Sequence, residues 1–269
     1  MKRILLTILL TVLVCASVAA QGKIKVKCPT KAELAKGIIG CPTTGCGPSL
    51  DPFLNKRKNI RSSNREVRDM TIPEMQELAD PVDDYEIGDT REKLAALGEG
   101  DKIRVVAFAL KARKGVKESC NCGLSKAADT DNHIVLVDEP TLELKAKATR
   151  GRKATAKRKA IKPKSAKVNT LAVREKQSTT AEFAPRPRLD HPKLTGARLQ
   201  SLIAASPGEA LKVRVTGILM FDSQHSLEGH LKRKNNWEVH PVLQMEFCPK
   251  NKECTADSDD NWKDLEDQP

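Results

Sequence analysis

A mainly β fold of the OB type is predicted: a small five-stranded barrel with one helix between strands three and four, plus a loop-rich N-terminal extension. Three observations carry this. The first is alternation over residues 211–247. Val213, Val215, Gly217, Leu219 and Phe221 share one face there, and Lys212, Arg214 and Thr216 the other. After a polar loop, Trp237, Val239, Pro241, Leu243, Met245 and Phe247 alternate with Glu238, His240, Gln244 and Glu246. A period of two over this length marks strands with one face in a core. The second is the order of the preceding elements, strand, strand, strand, helix, which together with the last pair is the OB order. The third is Gly217, placed where a small barrel has to bend tightly. An open antiparallel sheet with one covering helix shares the order and is the alternative.

Each element has its own signal. Residues 103–110 (IRVVAFAL) are apolar on both faces and read as a well-buried strand; residues 132–138 (NHIVLVD) are the second. Residues 179–184 (TTAEFA) are the third, ended by Pro185 and Pro187. The helix spans 194–205: Thr195 caps it, Leu194 staples onto Leu199, and Leu199, Leu202 and Ile203 form one apolar stripe before Ser206, Pro207 and Gly208 stop it. Upstream, Thr71 with Glu74 and Pro73 is a capping-box start, and Asp80-Pro81 closes that short helix. A second short helix runs from Arg91 to Leu97, capped by Thr90 and closed by Gly98. Both are expected to pack on the barrel.

Residues 1–20 read as a signal peptide: Lys2 and Arg3, an apolar run from Ile4 to Val14, and small residues before Gln21. Thr7 and Thr11 break that run, which disfavours a retained membrane anchor, and Val14 fits poorly before a lipidated Cys15. No other segment is apolar and long enough to span a bilayer, so the mature chain is expected to be periplasmic or extracellular. The boundaries that follow are 21–97 for the extension, 98–249 for the barrel and 250–269 for an acidic tail.

Export permits disulfides. After residue 20 the cysteines are Cys28, Cys41, Cys46, Cys120, Cys122, Cys248 and Cys254, an odd number, so at least one is free, ligated or intermolecular. Cys248 and Cys254 flank a short polar loop and are expected to form a local disulfide. The Cys, Gly and Pro cluster of 41–48 lacks the paired short spacings of a zinc site. Cys120 and Cys122 are too close to bridge without strain; each pairs elsewhere, or the two act as ligands or redox thiols.

The basic charge is concentrated. The chain has a net charge of +12, and residues 141–176 hold thirteen Lys or Arg against Glu143 and Glu175, a net of +11. Such a block is solvated when alone and interrupts strands two and three as a long basic loop. Lys145, Lys147, Arg150, Arg152, Lys153, Lys157, Arg158, Lys159, Lys162, Lys164 and Lys167 can neutralise phosphates and release counterions. The block has no Phe, Tyr or Trp, so base stacking is not its mode.

The blocks CPTTGCGPSLDPFLNKRKN, GEGDKIRVVAF, ESCNC, DNHIVLV, EFAPRPR, VRVTGILMFDSQH and WEVHPVLQMEFC cover most of residues 41–254. In this order they resemble a functionally uncharacterised group of exported bacterial OB-like proteins. The resemblance implies domain extent, OB-like architecture and export. It carries over no catalytic residue, and the basic insertion is no part of the shared blocks.

The candidates for chemistry are Asp131, His133, Glu182, Arg186, Arg188, Asp222, His225, Glu238 and His240. Asp131 and His133 are two apart, as are Glu238 and His240, so each pair projects from one face of a strand. Carboxylate and imidazole together bind ions such as Zn²⁺ or Mn²⁺, and arginines hold phosphate. Asp131, His133, Glu182, Asp222, His225 and His240 are therefore the candidate ligands of a divalent metal. The bland reading of the same residues is a wet, hydrogen-bonded sheet face with no cofactor. No nucleophile elbow, P-loop or dinucleotide glycine pattern occurs. The reading the sequence favours is a secreted or periplasmic binding module, not an enzyme, that contacts polyanions (nucleic acid or anionic envelope polymer) through the basic loop. A metal-dependent phosphodiester hydrolase is the alternative, and a structural envelope protein the second.

Overall fold

The computed structural model describes residues 26–81, 85–140, 171–225 and 232–267. The signal segment 1–20 and the eleven basic residues from Lys145 to Lys167 lie outside the described residues. Seven strands form one sheet: β1 (Val67–Met70), β2 (Lys102–Lys114), β3 (Asn132–Val137), β4 (Ser178–Phe183), β5 (Leu211–Phe221), β6 (Arg233–Phe247) and β7 (Lys263–Asp264). β2, β3, β4, β6 and β5 are neighbours in that order, and β5 pairs back onto β2, which closes a five-stranded barrel. All barrel pairings are antiparallel except β4 with β6, the one parallel contact an OB topology requires. The barrel, rather than an open sheet, is the architecture.

Helix α6 (Gly196–Ala205) lies between β4 and β5, as predicted. Thr195 Oγ1 accepts from Arg198 N, and Leu199 and Ile203 are buried against the barrel with Leu194. The core combines the inner faces of all five strands with α6 and two short helices of the extension, α3 (Ile72–Glu77) and α4 (Glu92–Ala96), which contribute Ile72, Met75 and Leu94. The Thr71 and Glu74 capping box is formed. The second helix departs from expectation at its start: its N-cap is Arg91, not Thr90, and no side chain caps it. Arg91 is instead drawn into a buried ion pair with Glu99, 2.7 Å from Nε to Oε2.

Three further departures have physical causes. β2 is not buried on both faces. Ile103, Val105, Ala107 and Ala109 are inside, whereas Lys102, Arg104, Val106 and Phe108 point out of the barrel and are half-exposed. Leu243 is buried but stands apart from the main core cluster, where Val242 takes its place. Thr216 pairs with Gln244, Gly217 with Val242 and Leu219 with Val239, so β6 carries two extra residues here; its facing slips by one at Val242 and is restored by Met245. The acidic segment folds back over residues 250–267: β7 pairs with the end of β6, Leu265 enters the core, and Arg214 lies 5.1 Å over the Trp262 ring.

Gly217 is what permits the slip. A Cβ there would lie 2.5 Å from Pro241 O and 2.6 Å from Val239 Cγ1. Gly217→Ala is expected to cost about 1–3 kcal/mol, as overpacking against fixed neighbours does. Urea denaturation checks this, and an unchanged midpoint would mean that the bulge is not pinned by this glycine.

Candidate functional site

The site sits on the outer face of the barrel where β3, β4 and β6 run side by side. In β6 the alternation that buries Trp237 and Val239 turns Glu238 and His240 outward. His133 in β3 is directly opposite Glu182 in β4, and Arg113 in β2 is opposite His133. Three adjacent strands thus deliver a guanidinium, an imidazole and a carboxylate in one row. Asp222 follows the last residue of β5, and its N–H donates to Asn236 O.

His240 faces outward, as the alternation of β6 predicts, and meets Glu182 there. Its side chain is nevertheless fully buried, because two segments, one from the extension and one from the connection between β2 and β3, roof this part of the barrel. The roof is helix α2 (Pro52–Lys58) and the turn 118–122. Asp51 caps α2 by accepting from Phe53 N and Leu54 N, with Pro52 in the first turn. Asn59 Nδ2 donates to Cys120 O, Thr43 O and Asn55 O, and Lys58 Nζ lies 2.8 Å from Glu118 Oε2. Gly45 lets the chain lie against this turn, since a Cβ would be 2.2 Å from Ser119 O. The Cys41–Cys122 disulfide ties the two covering segments together.

Beneath the roof runs a continuous polar network. His225 Nδ1 lies 2.7 Å from Asp222 Oδ2, which also accepts from Arg233 at 2.8 Å. Arg233 donates to Glu238 at 2.7 Å. Glu238 Oε1 lies 3.1 Å from His240 Nδ1, Glu182 Oε2 lies 3.0 Å from that same nitrogen, and His133 Nε2 lies 3.4 Å from Glu182 Oε1. Asp131 and Glu118 flank Cys120, a buried thiol.

The electrostatics follow from five carboxylates in little water. Burial pushes Asp131 up to about 7, reinforced by Glu118 and Glu182. Burial opposes charge on His240, but Glu182 and Glu238 outweigh it and raise the imidazole to about 10. Burial would raise Glu182 too, yet His133, His240 and Lys58 hold it below the usual carboxylate range. Asp222 is likewise held low, against its burial, by Lys58, His225 and Arg233. His225 is raised, first by its hydrogen bond to Asp222.

A cleft of about 230 Å³ opens beside the network, lined by Glu118, His133, Glu182, Asp222, His225 and Arg233, among others. The side chains of His133 and His225 are 38% and 45% exposed, so both imidazoles reach solvent while their carboxylates do not. Arg113 and Lys232, also on the cleft, share Glu175 as partner.

The six predicted metal ligands therefore fall in one region, in two layers. Asp131, Glu182 and His240 present ligand atoms within 4.8 Å of one another, and Glu118, Cys120 and Asp131 form a second such group. His133, Asp222 and His225 belong to neither; they stand on the cleft. Arg186 and Arg188 are not placed to hold a phosphate there. Arg186 donates to Cys41 O and Asn59 Oδ1, and Arg188 to the carbonyls of Ala127, Ala128 and Thr130. Cys248 and Cys254 are bridged, as are Cys28 and Cys46. Sequence reasoning missed Lys58, Arg113, Glu118 and Arg233. Of the residues in the roof only Cys120 carried a signal, as one candidate for the odd cysteine. No family model, curated protein or solved structure matches the chain.

Proposed function

We propose that the protein cleaves phosphodiesters in polyanionic substrates outside the cytoplasm, at the cleft between β3, β4 and the connection from β5 to β6. One observation carries the reading: two solvent-reaching imidazoles, each against a buried carboxylate, share a cleft with an acidic floor and a cationic rim. A site for an anion alone has no use for Glu118, Glu182 and Asp222 at its floor, since they repel it. Hydrolysis uses both signs. Arg113, Lys232 and His133 neutralise the phosphate oxygens. His225, oriented by Asp222, takes the proton from the attacking water. The water oxygen bonds to phosphorus, the bond to the leaving oxygen breaks, and that oxygen leaves protonated by solvent. A divalent ion on the floor would add Lewis-acid stabilisation of the phosphoryl oxygens.

The basic insertion fits the same reading as an attractor. Pro140 and Leu171, the described residues on either side of it, line one cavity with Arg174, and Glu175 of the next turn lines the cleft. A net of +11 at that position raises the local concentration of polyanion. Export agrees with the three disulfides, and among the described residues no helix is long and apolar enough to cross a membrane.

A second reading, a binding module without catalysis, is favoured by the charge of the insertion alone. One experiment separates the two. The mature protein is assayed on bis(p-nitrophenyl) phosphate and on single-stranded DNA with Zn²⁺ or Mn²⁺, and on heparin resin with a salt gradient. His225→Ala is expected to lose about 10²- to 10⁴-fold in cleavage rate, the usual range for a lost general base, with retention on heparin unchanged. Deleting residues 145–167 is expected to abolish retention while sparing cleavage of the small diester. No cleavage by the wild type with either metal would overturn hydrolysis and leave the binding module.

A further inference from the structure

The odd cysteine and the buried carboxylates need one another. Among the described residues Cys120 alone is a free thiol, in a chain whose other described cysteines are bridged. Its Sγ is buried 3.4 Å from Glu118 Oε2 and 3.9 Å from Asp131 Oδ2. Asp131 is shared with the second group, Glu182 and His240. A thiol or a set of acids would not make a site by itself. The additional observation is that Nε2 of His240 and Oδ1 of Asp131, on residues 0% and 1% exposed, have no hydrogen-bond partner. Buried polar atoms are almost always paired, and leaving one unpaired is costly. The opposite nitrogen of His240, Nδ1, is 3.1 Å from Glu238 Oε1 and 3.0 Å from Glu182 Oε2, so ligation at Nε2 leaves Glu238 on Nδ1 and turns the Glu182 carboxylate off it toward the ion. A carboxylate on one ring nitrogen and a free second nitrogen is the arrangement of a metal-bound histidine.

Charge points the same way. Glu118, Asp131, Glu182, Asp222 and Glu238 are five carboxylates gathered with two permanent cations, Lys58 and Arg233. Asp222 and Glu238 are engaged by Arg233 and Glu118 by Lys58, whereas Asp131 and Glu182 have no ion pair to a permanent cation among the described residues, Glu182 facing only the imidazoles of His133 and His240. That is where the unpartnered atoms are.

We propose that Asp131, Glu182 and His240 bind one zinc-class divalent cation, with the Cys120 thiolate as fourth ligand. Thiolate with imidazole selects a borderline ion over Mg²⁺ or Ca²⁺. Around a tetrahedral zinc, sulfur and carboxylate oxygen ligands lie about 3.5 Å apart by the usual bond lengths. Cys120 is 3.9 Å from Asp131 but outside the 4.8 Å group that Asp131 forms with Glu182 and His240, so to complete the site its side chain has to turn from Glu118 toward that group. Three ligands come from the barrel and its rim and the fourth from the turn 118–122, so the ion fastens roof to barrel. The ion could serve the hydrolysis proposed above but does not depend on it: a protein that binds zinc and cleaves nothing keeps this inference and loses that one.

The test uses the mature full-length protein, stripped with EDTA and shown to be folded by circular dichroism, then titrated with Zn²⁺ and with Co²⁺. One equivalent of each is expected. The cobalt form should carry thiolate-to-cobalt charge-transfer absorption in the near ultraviolet. Cys120→Ser, a near-isosteric change, is expected to remove that absorption and weaken zinc binding at least tenfold; Glu182→Gln should weaken binding while keeping the absorption. If the variants do not fold, the cobalt spectrum of the wild type decides alone. Absence of stoichiometric binding, or cobalt bound without thiolate absorption, would overturn the assignment.

Discussion

Replacing Trp237 with alanine is expected to lower stability by about 3–5 kcal/mol, the range for deleting a fully buried large side chain. The indole is fully buried at the junction of β5, β6 and the extension. Its ring meets Phe221 edge-on, with centroids 5.3 Å apart and planes at 62°. Its Nε1 donates to Ala79 O at 2.8 Å, which links the barrel to the segment after α3. Alanine therefore removes three things: apolar area, an aromatic pair and the hydrogen bond that ties Ala79 O to the barrel. Trp237→Phe separates them. It keeps most of the area and the ring contact but leaves Ala79 O without its donor, and should cost about 1–3 kcal/mol, the scale of an unpaired polar group. Urea denaturation of both variants, monitored by circular dichroism, is the measurement. Equal losses would mean that the hydrogen bond, not packing, dominates at this position.

Trp237 was legible because alternation is a local property. Residues 211–221 and 233–247 announce their inner faces one side chain at a time, and closure follows from the order of elements. The slip at Gly217 was not legible. A bulge inserts one residue without changing composition, so a strict period of two extends to Leu243 although the backbone has handed the core to Val242. β1 escaped for a related reason: VRDM has two apolar residues and pairs by its backbone with β2. At the site, Glu238 and His240 were readable because strand geometry sends residues two apart to one face; Asp131, just before β3, joins Glu182 and His240 rather than His133. Their burial was not, because it depends on a roof recruited from residues 41–59 and 118–122. Lys58 meets Glu118 across 60 positions, and nothing in either neighbourhood names the other. The odd count of cysteines required a free or ligated thiol; only the fold identifies it as Cys120 and places it against Asp131.

Removing the Cys41–Cys122 disulfide, by Cys41→Ser with Cys122→Ser, should be the most damaging of the three disulfide deletions. The bridge spans 81 positions, against 18 for Cys28–Cys46 and 6 for Cys248–Cys254. The loop-entropy argument gives about 4.5, 3.2 and 2.2 kcal/mol for the three in that order. A loss of this size in a domain of this length lowers the melting temperature by roughly 10–15 °C. Replacing both cysteines together leaves Cys120 no new partner from this pair, so the reading is of a lost crosslink and not of a shuffled one. The folded state suffers in the same place. Cys41 O accepts from Arg186, Cys122 ends the turn that carries Glu118 and Cys120, and both segments roof His240 and Glu182. Loosening them lets water reach a carboxylate cluster that the roof keeps dry. The double variant should therefore lose stability and also expose the Cys120 thiol, measured as a rise in its rate of reaction with a neutral maleimide under native conditions. Deleting Cys248 and Cys254 should leave that rate unchanged, since their six-residue loop lies at the far end of β6. Equal stability losses in all three variants would remove loop closure as the cause, and a Cys120 that stays inert in the Cys41 and Cys122 variant would show that the roof holds without its crosslink.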